Sequence, residues 1–362
     1  MSKEANLNTE LALERKNIKT DSYMMSIGEL INLYRDGDLE LAPAYQRLFR
    51  WDDEQKSKFI ESILLGIPIP PIFVAQKEGA VWSIVDGVQR LSTILQLTGE
   101  LKDHPPLILT TTKKLPSIEG FSWDSLPEEV KRVIRRSKLG VNIILTENSI
   151  QAQYELFQRL NTGGLHLEPQ EIRNCLIIML DESFYDKINR LKDYPSFVKT
   201  LPLQEEKFKI EFHMELILRY FIVKRNKVNY RDYKGSALLS EFIDAETASL
   251  IDDKEFNIDK EIAIFEKTFD YMASVLDSKI FKKYVLAKDE FEGQFLTSSF
   301  EAILPGVADN IDAISTLSAE EFIAKVKGMY KEDDYLTYAA RGAKALYRVK
   351  GLSDFSRKYF AM

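Results

Sequence analysis

Asp86-Gly87-Val88-Gln89-Arg90 sets a carboxylate, an amide and a guanidinium around one glycine. That set suits phosphate handling. A guanidinium neutralises phosphate charge, an amide orients water or an oxygen, and a carboxylate holds a divalent ion or orients the attacking water. The residues alone leave the last two roles of Asp86 open. They also leave open a plain surface Asp-Gly turn ahead of an amphipathic helix.

The flanking pattern predicts what positions these groups. Val81 to Val85 is a β-prone apolar run. After Gly87, apolar residues recur at Val88, Leu91, Ile94 and Leu95 with helical spacing. A strand, a tight turn and a helix follow from this pattern. Gly87 permits a backbone shape and a ligand approach that a Cβ would hinder. The helix start offers unpaired N–H groups and the positive end of the dipole to an anion. Gln89 and Arg90 fall in the first turn, off the apolar stripe, where both are expected to reach a phosphate.

Upstream, Ser26 is a candidate cap for a helix with Ile27, Leu30, Ile31 and Tyr34 inward, ending at Asp36-Gly37. Asp52 and Asp53 suit the start of a second helix that buries Phe59, Ile60, Ile63 and Leu64 and stops at Gly66. Glu54-Gln55-Lys56 matches a nuclease E-x-K fragment in letters, but falls in that helix's first turn rather than on a strand. Ile72–Ala75 is expected to pair with Val81–Val85 across Glu78-Gly79, and Leu107–Thr110 and Val141–Leu145 read as further strands. Between them, Arg132, Arg135 and Arg136 share a face of the helix expected over 127–139, a candidate nucleic-acid stripe as well as an ordinary solvated face. A helix over 150–161 ends at Arg159, just before Asn161-Thr162-Gly163-Gly164.

Three ordered blocks resemble the ParB/sulfiredoxin-like domain of GmrS-type restriction proteins. Asp86-Gly87-Val88-Gln89-Arg90 is similar to that family's DGQQR motif, with Val88 in place of the first Gln. Before it stands Pro43-Ala-Tyr-Gln46-Arg47-Leu-Phe-Arg50-Trp51, continuing to Gly66-Ile-Pro-Ile-Pro70. After it come Phe157-Gln-Arg159-Leu-Asn161-Thr-Gly-Gly164 and Gln170-Glu-Ile-Arg173. The resemblance implies a nucleoside-triphosphate pocket with Mg²⁺. Asp86, Gln89 and Arg90 would be catalytic, Asp86 would be the candidate Mg²⁺ ligand, and Gln46, Arg47, Gly87, Arg159 and Asn161 would bind nucleotide. It also implies a role in restriction or anti-phage defence, with DNA and a separate nuclease subunit as partners. The alternative is a nucleotide-gated DNA- or partner-binding module with little or no hydrolysis. A ParB-like nuclease ranks below both, since no acidic cluster marks a two-metal site. The sulfiredoxin thiol is excluded because Gly87-Val88-Gln89-Arg90 holds no cysteine.

From about residue 183 amphipathic helical patterns recur, at Phe212–Val223, Ala237–Ile243, Ile258–Val275, Phe295–Leu304 and Phe322–Met329. The expected fold is α+β: a polar arm over 1–22, a ParB/sulfiredoxin-like domain over 23–182 and an all-helical domain over 183–362. The tail cations Arg341, Lys344, Arg348, Lys350, Arg357 and Lys358 form a second candidate contact for nucleic acid or a partner. His213 is the only histidine of the helical half, too few for a fused HNH nuclease.

The net charge of −7 over 362 residues provides no global basic field, so any DNA contact must be local. Cys175, the only cysteine, rules out an internal disulfide framework and reads as a buried thiol. No apolar run reaches the ~20 residues of a membrane span, and no signal-peptide core is evident near Met1. The chain is read as soluble and cytoplasmic, and as a candidate homo-oligomer.

Overall fold

Residue 7 and residues 20–41, 51–102, 104–145, 168–233 and 238–362 are described by a computed structural model. They fall into two compact units, 1–167 and 168–362.

In the first unit, Thr20–Ser26 (β1) passes directly into Ile27–Asp36 (α1). The Ser26 hydroxyl accepts from the Glu29 N–H (3.2 Å), and the Glu29 carboxylate accepts from the Ser26 N–H (2.7 Å), so two orphan donors are satisfied reciprocally. Leu39–Glu40 (β2), Asp53–Leu64 (α2), Ile72–Gln76 (β3), Trp82–Asp86 (β4), Val88–Leu97 (α3), Glu128–Arg136 (α4) and Lys138–Ile144 (β5) follow. Asp52 caps α2 through its side chain, as expected of an aspartate there.

The strands form one mixed sheet in the order β1-β5-β3-β4-β2. β3 and β4 pair antiparallel as the expected hairpin, β3 runs parallel to β5, and β4 runs parallel to β2. Ile72, Val74, Ile84, Val85, Val141 and Ile143 are all buried, so the inner strands carry the core.

Two expectations need correction. Thr20–Ser22, placed in a polar arm, begin a strand that pairs with β5 from Thr20↔Ile144 to Ser26↔Lys138. Its first five residues are exposed, so no apolar alternation marks it. Leu107–Thr110 is not a strand. Leu107 and Leu109 do point inward, but the backbone is satisfied elsewhere. Leu109 exchanges bonds with the turn at Gly120 and Phe121, and the Thr110 N–H donates to Ser57 Oγ of α2 (2.8 Å). Further on, the Lys114 and Leu115 N–H groups donate to Glu61 Oε1 (2.7 and 2.8 Å).

The second unit is helical apart from one small hairpin. Its longer helices are Pro169–Leu180 (α5), Glu182–Leu191 (α6), Phe212–Arg225 (α7), Leu239–Asp252 (α8), Ile258–Val275 (α9), Thr297–Asp309 (α10), Ala319–Met329 (α11) and Ala345–Tyr359 (α12). The hairpin, Lys283–Val285 with Glu290–Glu292, was not expected. Helix α5 belongs to this unit, whereas the sequence placed it with the sheet. Cys175, Leu176, Ile177 and Ile178 on α5 are buried.

A charge network runs through the core of the second unit. Arg173, with no side-chain exposure, donates from Nε to Asp244 Oδ1 of α8 (2.6 Å) and from Nη1 to Glu215 Oε2 of α7 (3.3 Å). Glu215 also pairs with Arg219, which lies 3.5 Å from Glu301 of α10, and Glu301 accepts from Arg348 of α12. Positive and negative members alternate, which is what buried charge requires. Half of the tail cations are ion-paired: Arg348 with Glu301, Arg357 with Asp309 and, at the surface, Lys350 with Asp354. The expected contact surface along the tail is thereby reduced to Arg341, Lys344 and Lys358.

Candidate phosphate site at the β4–α3 turn

Strand β4 delivers Asp86 to the end of the sheet, opposite Phe73 of β3. The chain then turns at Gly87, whose φ of 92° and ψ of 15° lie in the left-handed region. A Cβ there would stand 2.4 Å from Ile72 Cγ2, so glycine is required both by conformation and by space. Gly87 is the N-cap of α3 and brings no side chain to cap it. The Leu91 N–H closes the first turn on the Gly87 carbonyl (2.9 Å). The N–H groups at the start of α3 are those that a helix leaves without intrahelical acceptors, and with the dipole they form an anion-binding end.

Arg90 departs from the expected geometry. It is 6% exposed, not free on the outer face of α3. Its Nη2 donates both to Asp86 Oδ2 (3.1 Å) and to the Pro71 carbonyl (3.2 Å). Its buried Nε has no hydrogen-bond partner among the described residues. The guanidinium therefore braces the ends of β3 and β4 against the turn. The Asp86 side chain is 25% exposed, so the carboxylate spans the buried brace and the surface. Gln89 also braces: its Oε1 accepts from the Trp51 N–H (3.1 Å), fastening the segment before α2 to the start of α3.

Residues 27–178 match the family model of the GmrSD restriction endonuclease N-terminal domain. The match covers less than half of the chain, beginning at α1 and ending inside α5. Comparison with curated proteins and with solved structures returns no match.

Within this GmrSD-like region the structure brings together Asp86, Gly87, Gln89 and Arg90. Gln46, Arg47, Arg159 and Asn161 lie outside the described residues. Sequence reasoning missed the two backbone groups that complete the brace, the Pro71 carbonyl and the Trp51 N–H. Pro71 carried a usable signal, since the Pro70-Pro71 pair immediately before β3 fixes an extended entry to the strand.

Among the described residues no group of three or more His, Cys, Asp or Glu side chains is placed to hold a metal ion. The lone Asp86 carboxylate fits a Mg²⁺ that is carried mainly by substrate phosphates and water, the usual arrangement for that ion, and not a dedicated protein cage. A separate cleft of about 420 Å³, lined by Asp21, Tyr23, Asp38, Gln76 and Trp82 among others, sits at the opposite end of the β3–β4 hairpin, where Gln76 faces Trp82. No described helix is long and apolar enough to cross a membrane.

Proposed function

We propose that the GmrSD-like region binds the phosphates of a nucleoside triphosphate at the β4–α3 turn and hydrolyses it with Mg²⁺. In this reading the chain serves a restriction or anti-phage defence system together with a separate nuclease subunit. The observation that carries it is the Gly87 turn, which sets a partly exposed Asp86 beside the N-terminus of α3. The α3 N–H groups and dipole hold the phosphates, as at other strand–turn–helix anion sites. Asp86 holds the substrate's Mg²⁺ or orients water. Arg90 keeps Asp86 in place from behind. Gln46, Arg47, Arg159 and Asn161 complete the pocket in the family pattern.

The test is phosphate release by the purified chain with each of the four common NTPs and Mg²⁺, beside Asp86→Asn. Turnover that is lost in the variant supports the reading. Absence of both turnover and nucleotide binding overturns it.

One observation favours a second reading, a nucleotide-gated module with little hydrolysis. Arg90 is engaged with Asp86 and Pro71, so it presents no free guanidinium to stabilise charge in a phosphoryl-transfer transition state. Nucleotide binding without phosphate release, weakened by Asp86→Asn, is the result expected of such a module.

A further inference from the structure

We infer that the outward face of α4 contacts the phosphate backbone of duplex DNA. This inference does not depend on nucleotide hydrolysis. Arg132, Arg135 and Arg136 stand three and four residues apart and are exposed. Ile134, fully buried, fixes which side of the helix packs inward.

No close ion pair ties down this face, although Glu128 lies within electrostatic reach of Arg132 and Arg135. Among the described residues none of the three guanidiniums has an ion-pair partner, whereas Arg90, Arg173, Arg225, Arg348 and Arg357 each hold a carboxylate. Lys131 on the same helix is tied to Glu128 (2.9 Å), so the nearest ion pair of that carboxylate is with the lysine and not with the arginines. Lys138, exposed at the start of β5, continues the stripe beyond the helix.

A helix C-terminus favours cations through its dipole, which accounts for Arg135 and Arg136 in the last turn. It does not account for Arg132, a turn earlier, nor for the position of Arg135. The Arg135 guanidinium lies 5.1 Å from the centroid of the Trp123 ring, held over an aromatic face. An arginine held in this way loses less side-chain freedom on meeting a phosphate. In a chain of net charge −7, a clustered arginine face without close ion pairs complements a polyanion. The match to a restriction endonuclease domain selects DNA among polyanions.

The experiment is fluorescence anisotropy of a labelled 30-base-pair duplex with the full chain across a salt series. The wild type is compared with Arg132→Gln/Arg136→Gln and with Arg341→Gln/Lys344→Gln, a change of equal charge in the tail. The α4 pair is expected to weaken binding about ten-fold at low salt. It is also expected to reduce the slope of log K against log salt by about 1.8, about 0.9 for each phosphate no longer neutralised. The tail pair is expected to leave both near the wild-type values, and an unchanged melting temperature in each variant excludes misfolding. Three results overturn the inference: no duplex binding by the wild type, equal losses in the two variants, or tighter binding of the single strand than of the duplex.

Discussion

Asp86 and Arg90 are joined behind the Gly87 turn by a 3.1 Å ion pair in which the arginine is almost wholly buried and the aspartate only partly so. The same Nη2 reaches the Pro71 carbonyl, so one guanidinium ties together the end of β4, the entry to β3 and the first turn of α3. Arg90 is therefore a positioning residue, and its removal should be felt by the fold before it is felt by a ligand. Arg90→Met is expected to lower unfolding free energy by about 2 kcal/mol, less than the 3–5 of a fully buried pair because Asp86 retains contact with water. Arg90→Lys should recover little of this, since a single ammonium cannot reproduce the planar fork. Urea denaturation measures both. Wild-type stability in Arg90→Met would mean the brace holds nothing.

Gly87→Ala combines two costs. The methyl group would enter the space of Ile72 Cγ2, and alanine resists a φ of 92°. A loss of about 2–4 kcal/mol is expected from left-handed strain and overpacking together. Removing Ile72 Cγ2 should recover part of the packing share alone, so Gly87→Ala/Ile72→Ala should be less destabilised relative to Ile72→Ala than the single change is relative to wild type. Thermal melts of the four proteins check this.

In the helical unit, Arg173→Met would take the Arg173 guanidinium away from Asp244, a carboxylate at 6% side-chain exposure. A loss of about 3–5 kcal/mol is expected, and Asp244→Asn should cost less because it removes the charge while retaining an acceptor. The two changes combined should fall short of their sum by more than about 0.5 kcal/mol, the signature of coupled neighbours. Denaturant titrations of the double-mutant cycle decide it.

Alkaline pH should loosen the same unit. Burial, then the Asp270 hydrogen bond, pushes the Tyr194 hydroxyl up to about 12, and burial pushes Tyr230 to about 12. Tyr220 is likewise pushed well above the ordinary value by burial and by the nearby Glu261. With folded values above the ordinary 10.0, these groups contribute stability that is complete below pH 10 and lost as pH rises through about 12. Absorbance of tyrosinate should therefore rise together with loss of helical circular dichroism in that window. Full tyrosinate absorbance reached with helicity intact would contradict the burial argument.

Much of this was legible because local chemistry and packing agree. Ser26, Asp52 and Gly87 announce the ends of elements through caps and a positive φ, and Ile258–Val275 forms over the span its periodicity predicts. Arg90 was misplaced because helical periodicity assumes one wet face, whereas α3 buries Arg90, Ser92, Thr93 and Gln96 alongside its apolar stripe. β1 was missed because an edge strand can be held by backbone pairing alone, with its side chains left in water. At Leu107–Thr110 the β-prone composition suggested a strand, but the backbone partners are the side chain of Ser57 and a distant turn, which no local pattern reveals. The pairing of Arg348 and Arg357 likewise depends on carboxylates far away in sequence, Glu301 and Asp309.

Helix α5 decides how this chain can be cut and recombined. The family match ends at Ile178, inside a helix whose Leu176, Ile177 and Ile178 are covered within the helical unit. A fragment ended there would carry a bare apolar stripe into solvent and tend to aggregate. For grafting the sheet unit onto another protein, the workable seam lies ahead of α5, inside the matched region and not at its edge.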